Sequence, residues 1–145
     1  MTPAEAFQAF GLIGTWSVDC RRVASADNPR IAWTALSSGQ VVHTVTLDGQ
    51  TPWLIDTVTD AVILSNDELR FTVARRNGAR LTATITMSQG LIQSTRSVAG
   101  DGTVLVDRGI EIATGKATMI YERCGMSISR SSQSVTVASL APTPR

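Results

Sequence analysis

Residues 79–88 carry the plainest pattern in the chain. Leu81, Ala83, Ile85 and Met87 alternate with Arg80, Thr82, Thr84 and Thr86. A period of two places one set on a buried face and the other toward solvent, as in an antiparallel strand. Segments rich in Val, Ile and Thr recur along the chain, punctuated by Gly, Asn, Asp and Pro about every ten residues. They predict strands at 14–22, 31–36, 40–48, 53–59, 61–65, 68–75, 79–88, 91–98, 103–112 and 117–124. In Arg-Arg-Asn-Gly-Ala-Arg, Asn77-Gly78 predicts a two-residue type I′ hairpin with positive φ at both residues. Further tight turns are expected at Gly39 and at 99–103. Arg75, Arg76 and Arg80 crowd the Asn77-Gly78 tip, and a solvated hairpin end is the simpler reading beside an anion site.

Near the N-terminus the period changes. Residues 3–10, Pro-Ala-Glu-Ala-Phe-Gln-Ala-Phe, predict a short helix with Pro at its start, Phe7 and Phe10 on one face, and Gly11 as its stop. Residues 1–126 are read as one β-barrel or sandwich domain carrying this helix. Residues 127–145, serine-rich and then alternating in Ser-Val-Thr-Val-Ala-Ser-Leu, are read as a C-terminal tail or an added edge strand.

Composition narrows the field. With 145 residues the chain is long enough to bury a real core, and 43% hydrophobic against 17% charged residues excludes wholesale disorder. A net charge of +1 favours neither nucleic acid nor an anionic membrane. No apolar run approaches the roughly 20 residues that span a bilayer, so no transmembrane segment is expected. The opening Met-Thr-Pro-Ala-Glu-Ala-Phe has no basic region followed by a long apolar one, and does not read as a signal peptide. Cys20 and Cys124 stand 104 positions apart, either joined or as two buried thiols. A bond between them would place the chain in an oxidising compartment. No short-spaced ligand pair supports structural zinc, and neither metal nor cofactor is expected.

Candidate chemistry is sparse. His43 is the single histidine, and Val41, Val45 and Leu47 share its strand face, which reads as a core or lumen histidine rather than a catalytic one. Asp107 and Glu111 lie roughly 13 Å apart along an extended chain, too far for a retaining carboxylate pair. Arg96, if inward, needs an acidic partner or an anionic ligand; facing outward it has no special role. Trp33, Trp53, Met119 and Tyr121 are the large side chains able to line a cavity. No nucleophile motif or phosphate loop is present, and no enzymatic activity is expected.

Gly-Thr-Trp at 14–16, on the first strand after a short helical turn, resembles the Gly-x-Trp signature of the lipocalins and the wider calycin superfamily, which includes the avidins. In lipocalins the tryptophan plugs the closed end of an eight-stranded antiparallel barrel and an arginine of the last strand packs over its indole. The resemblance gives these roles to Gly14, Trp16 and Arg123, the last in Tyr-Glu-Arg-Cys. The lipocalin middle-turn motif and the avidin biotin-binding pattern are absent. More loosely, the chain is similar to small exported proteobacterial proteins of unassigned function, which begin Gly-Thr-Trp…Cys, carry an Asn-Pro (here Asn28-Pro29) and close on Arg-Cys. That likeness implies a Cys20–Cys124 disulfide and a periplasmic or secreted location. A rival immunoglobulin-like reading rests on Cys20, Trp33 and Cys124 after Tyr121, but Tyr121 stands three residues before the cysteine rather than two. The fold expected is therefore all-β: an antiparallel, eight- to ten-stranded, lipocalin-like (calycin) barrel with a short N-terminal helix. The function expected is non-enzymatic binding of a small, partly apolar molecule held inside the barrel, with Trp33, His43, Trp53, Arg96, Met119 and Tyr121 as candidate ligand-lining residues. The alternative is a protein-interaction or inhibitor module with a filled barrel, acting through its rim, an edge strand or the tail.

Overall fold

In a computed structural model, which describes residues 1–48 and 51–125, ten strands follow one helix. They are α1 (Pro3–Phe10), β1 (Gly14–Ser17), β2 (Arg30–Ala35), β3 (Val41–Thr46), β4 (Pro52–Ser65), β5 (Glu68–Ala74), β6 (Arg80–Ser88), β7 (Leu91–Ala99), β8 (Val104–Asp107), β9 (Ile110–Glu111) and β10 (Ile120–Gly125). All pairings between strands are antiparallel. β1 through β7 pair in sequence, and β10 pairs with both β1 and β7. The result is a closed eight-stranded barrel, with β8 and β9 as two extra strands continuing from β7. This architecture is compatible with a calycin-like fold, and it leaves no room for two facing immunoglobulin sheets. The proposed tail strand at 127–145 lies outside the described residues.

The helix forms where its ends are satisfied. Thr2 accepts from the Glu5 backbone N–H while the Glu5 carboxylate accepts from the Thr2 backbone N–H, a reciprocal capping box. Gly11 ends the helix at φ 85°, a left-handed cap that glycine adopts without a Cβ penalty. Its inner face buries Ala4, Ala6 and Phe7. The Ala4 N–H donates to the Gly39 carbonyl in the β2–β3 turn, so α1 lies across that end of the barrel. Phe7 is fully buried, with its ring centroid 5.3 Å from Phe71 and 6.1 Å from Trp33. The helix thus fills this end of the lumen with its own side chain. From there a continuous core runs through Trp16, Ile31, Val41, Val58, Leu69, Val73, Ile85 and Ile92.

Several boundaries differ from the sequence expectation. The first strand ends at Ser17, because the chain then folds around Asn28, which is fully buried. The Asn28 amide oxygen accepts from Ser17 Oγ and the Asp19 N–H, while its nitrogen donates to the carbonyls of Asp19, Arg22 and Val23. The expected strands 53–59 and 61–65 are one strand, β4, bent by a register shift between Val58 and Asp60. The expected strand 103–112 breaks at Arg108-Gly109, where φ is 53° and 75°. The Asn77-Gly78 turn is also corrected. Only Gly78 has positive φ, and the Gly78 N–H donates to Arg75 O while Arg75 N–H donates to Ala79 O, a three-residue loop closed by a glycine bulge. The same pair of bonds recurs at 36–40 and at 99–103. Paired positive φ angles occur instead at Gln89-Gly90 and Arg108-Gly109.

Candidate functional site

Strand register assembles a row of inward-facing positions. Gly14 pairs with Trp33, Trp33 with His43, and His43 with Asp56, across β1, β2, β3 and β4. Trp33 and His43 stack at 5.4 Å between centroids, 21° from parallel. Asp56 sits beyond the imidazole with its side chain 1% exposed, and its Oδ2 lies 3.7 Å from His43 Nδ1 and 3.9 Å from Arg75 Nε. At these separations the attraction is electrostatic, without the geometry of a hydrogen bond. Trp33 Nε1, His43 Nδ1 and both carboxylate oxygens of Asp56 are buried and make no hydrogen bond among the described residues. Each such group carries a desolvation penalty of about 1–3 kcal/mol, more for a charged one. Three such groups, with four unsatisfied atoms, lie in one row.

A cleft opens beside the Asp56 end of this row. β4 pairs with β3 from Pro52 onward, but its ladder with β5 begins only at Thr57↔Ala74. β5 ends at Ala74, so residues 52–56 run on beside the β5–β6 turn. Between them opens a cleft of about 330 Å³, lined by Pro52, Trp53, Leu54, Ile55, Asp56, Arg75, Arg76 and Asn77. Its volume lies at the small end of the ~300–1,000 Å³ usual for ligand pockets. Trp53 is 67% exposed, an unusually open position for an indole, and Ile55 beside it is also exposed. Apolar wall, buried carboxylate and two guanidinium-bearing residues converge on one opening.

The sequence-derived candidates divide. Trp33 and His43 belong to the buried row and Trp53 to the cleft wall. Arg96 is half-exposed and donates to Asp107 Oδ1 at 3.1 Å, on the β7–β8 ladder outside this site. Met119 is exposed just before β10. Tyr121 packs against the core from β10, and burial raises its phenol above the usual tyrosine range, with nearby Glu111 acting in the same direction. Asp56 was not anticipated. Its signal was present, since it shares the period-two phase of Leu54 and Val58, so a carboxylate was due on an inward face. Arg75, noticed only as part of a hairpin tip, faces that carboxylate because the β5 alternation of Phe71 and Val73 continues to it.

The residues assigned by resemblance sit at the helix-capped end. Gly14 has φ 134°, a conformation that side chains with a Cβ rarely adopt. Trp16 is buried, its Nε1 donating to Leu12 O at 3.0 Å, and the Arg123 guanidinium lies 4.4 Å over its ring. Arg123 also donates to the carbonyls of Ile13 and Gly11. Cys20 and Cys124 form a disulfide, which is consistent with an oxidising compartment. No group of metal-ligating side chains occurs, and no helix is long and apolar enough to cross a membrane, among the described residues. No family, no curated protein and no solved structure matches this chain.

Proposed function

We propose that this is a non-enzymatic binding protein of the periplasm or extracellular space, lipocalin-like in its closure, that holds a small, partly apolar molecule in the Asp56 cleft. The lumen beneath α1 is occupied by Phe7, Trp33 and Phe71, which corrects the expectation of a ligand inside the barrel and leaves the cleft beside the β5–β6 turn as its position. The observation that carries the reading is Asp56: a carboxylate 1% exposed, without a hydrogen bond from the described residues, at the edge of a cleft with apolar walls. A purely structural carboxylate at this depth would be held by close donors. One kept short of donors is suited to receive them from a guest.

Asp56→Asn separates the two roles. Under the binding reading, urea denaturation finds the variant as stable as the parent or more so, because an under-partnered buried charge has been removed. Amide shifts induced in the parent at 52–56 and 75–77 by a fragment set then disappear in the variant. A loss of about 3–5 kcal/mol, the signature of a broken buried ion pair, would make Asp56 structural and end this reading. That outcome would leave the second reading standing, an interaction module. It is supported by exposed Leu105, Ile110, Ile112, Met119 and Ile120 around β9, the terminal strand of the sheet.

A further inference from the structure

The main chain of β4 is half used beside the β5–β6 turn. On one side Pro52, Leu54, Ile55 and Asp56 pair with Thr46, Val45, Thr44 and His43 of β3. On the other side the ladder to β5 starts only at Thr57↔Ala74, and no backbone bond joins 52–56 to 75–79 among the described residues. In an antiparallel strand, alternate residues turn both N–H and C=O to the same side. This stretch therefore presents unanswered main-chain donors and acceptors, and the 330 Å³ cleft lies along them, with Arg75, Arg76 and Asn77 opposite. Exposed edges are usually blunted by Pro, Lys or other charges. Pro52 begins this one, but Trp53, Leu54 and Ile55 after it are uncharged and apolar. Strand alternation sets the exposed Trp53 and Ile55 on the outer face, while Leu54 and Asp56 turn inward. The Asp56 carboxylate lies beneath, facing His43 and Arg75. Arg76, at the turn, makes no ion pair among the described residues.

We infer that the ligand class is a short peptide, bound in extended form as an added strand along residues 52–56 of β4. Its main chain continues the ladder that β5 leaves off, one apolar side chain lies beside Trp53 and Ile55, and an acidic group meets Arg76. This rests on the binding reading above and narrows it. Four extended residues span about 13 Å, enough to follow the open stretch. A second copy of this chain is the poorer occupant. Two such edges laid together would bring two basic turns together, each carrying Arg75, Arg76 and Arg80, whereas an acidic peptide complements that charge.

The test uses the full, oxidised chain and two tetrapeptides, Val-Glu-Leu-Val and Glu-Val-Leu-Val, acetylated and amidated at their ends and read by amide shifts at 53–56 and 75–77. At least one should bind saturably. Methylating its amide nitrogens one at a time should then weaken binding about tenfold at every second residue, the loss of one main-chain bond, and hardly at the residues between. Replacing its Glu by Gln should weaken it about threefold in the parent and not in Arg76→Gln. Equal losses at every nitrogen, a Glu-to-Gln difference that survives in Arg76→Gln, or no shift with either peptide would overturn the assignment. So would shifts at 53–56 that grow with protein concentration alone, the mark of a second copy on this edge. The wider binding reading is judged separately, by the stability of Asp56→Asn and the fragment set.

Discussion

Asn28 shows how a single residue stands in for a whole piece of secondary structure. The segment from Val18 to Pro29 has no strand ladder, only an isolated bridge between Ser25 and Asn28. Three of its backbone carbonyls converge on one amide nitrogen, an arrangement that only a donor can occupy. Asn28→Asp keeps the shape but turns an oxygen toward three oxygens in a fully buried position. A loss of about 3 kcal/mol or more is expected from urea denaturation, since the oxygen that replaces the amide nitrogen meets only acceptors in a buried site. Near-native stability would show that the loop is held by other means. Asn28 was legible in the sequence only as half of an Asn-Pro pair, because its partners come from main-chain atoms that leave no compositional trace. For Asp56 the period-two phase gave the inward position, but not which donors reach it. His43, by contrast, was readable from its apolar neighbours at every second position.

At the scale of elements, periodicity predicted most of what formed, and it misjudged where strands bend. The alternation in 79–88 became β6 nearly intact, and the Phe7/Phe10 spacing became α1. A bulge inside β4 interrupts alternation without interrupting the strand, so two strands were expected where one exists. Turn chemistry was subtler still. Asn-Gly is the strongest two-residue hairpin signal, yet here Asn77 keeps negative φ and uses its side chain to accept from the Ala79 N–H instead. The helix is the element whose contribution is easiest to measure. Phe7→Ala removes a fully buried ring that touches Trp33 and Phe71 and should cost about 3–5 kcal/mol by thermal or urea unfolding. A loss below about 1 kcal/mol would mean that α1 merely rests on the barrel.

Closure belongs to the whole molecule. β10 joins β1 and β7, the disulfide ties Cys124 to the loop after β1, and Arg123 reaches the carbonyl that ends α1 from 112 positions away. That cation also sits at the negative end of the helix dipole, where the helix itself supplies no basic residue. Such contacts are decided by topology, and a local pattern signals them only through a resemblance such as Gly-Thr-Trp with a late arginine. The C20S/C124S pair should lower stability by about 2–5 kcal/mol, because the bond closes a loop of 104 residues. Parent protein in dithiothreitol should reproduce that loss, and an unchanged urea midpoint would show that the remaining contacts close the barrel alone. The position of Phe7 has one more consequence. An eight-stranded barrel of this size can be either a solid or a receptacle, and here a segment of the same polypeptide behaves as a permanently tethered guest. The helix-capped end of the interior is therefore already taken, and a visitor from solution is left the cleft beside the β5–β6 turn.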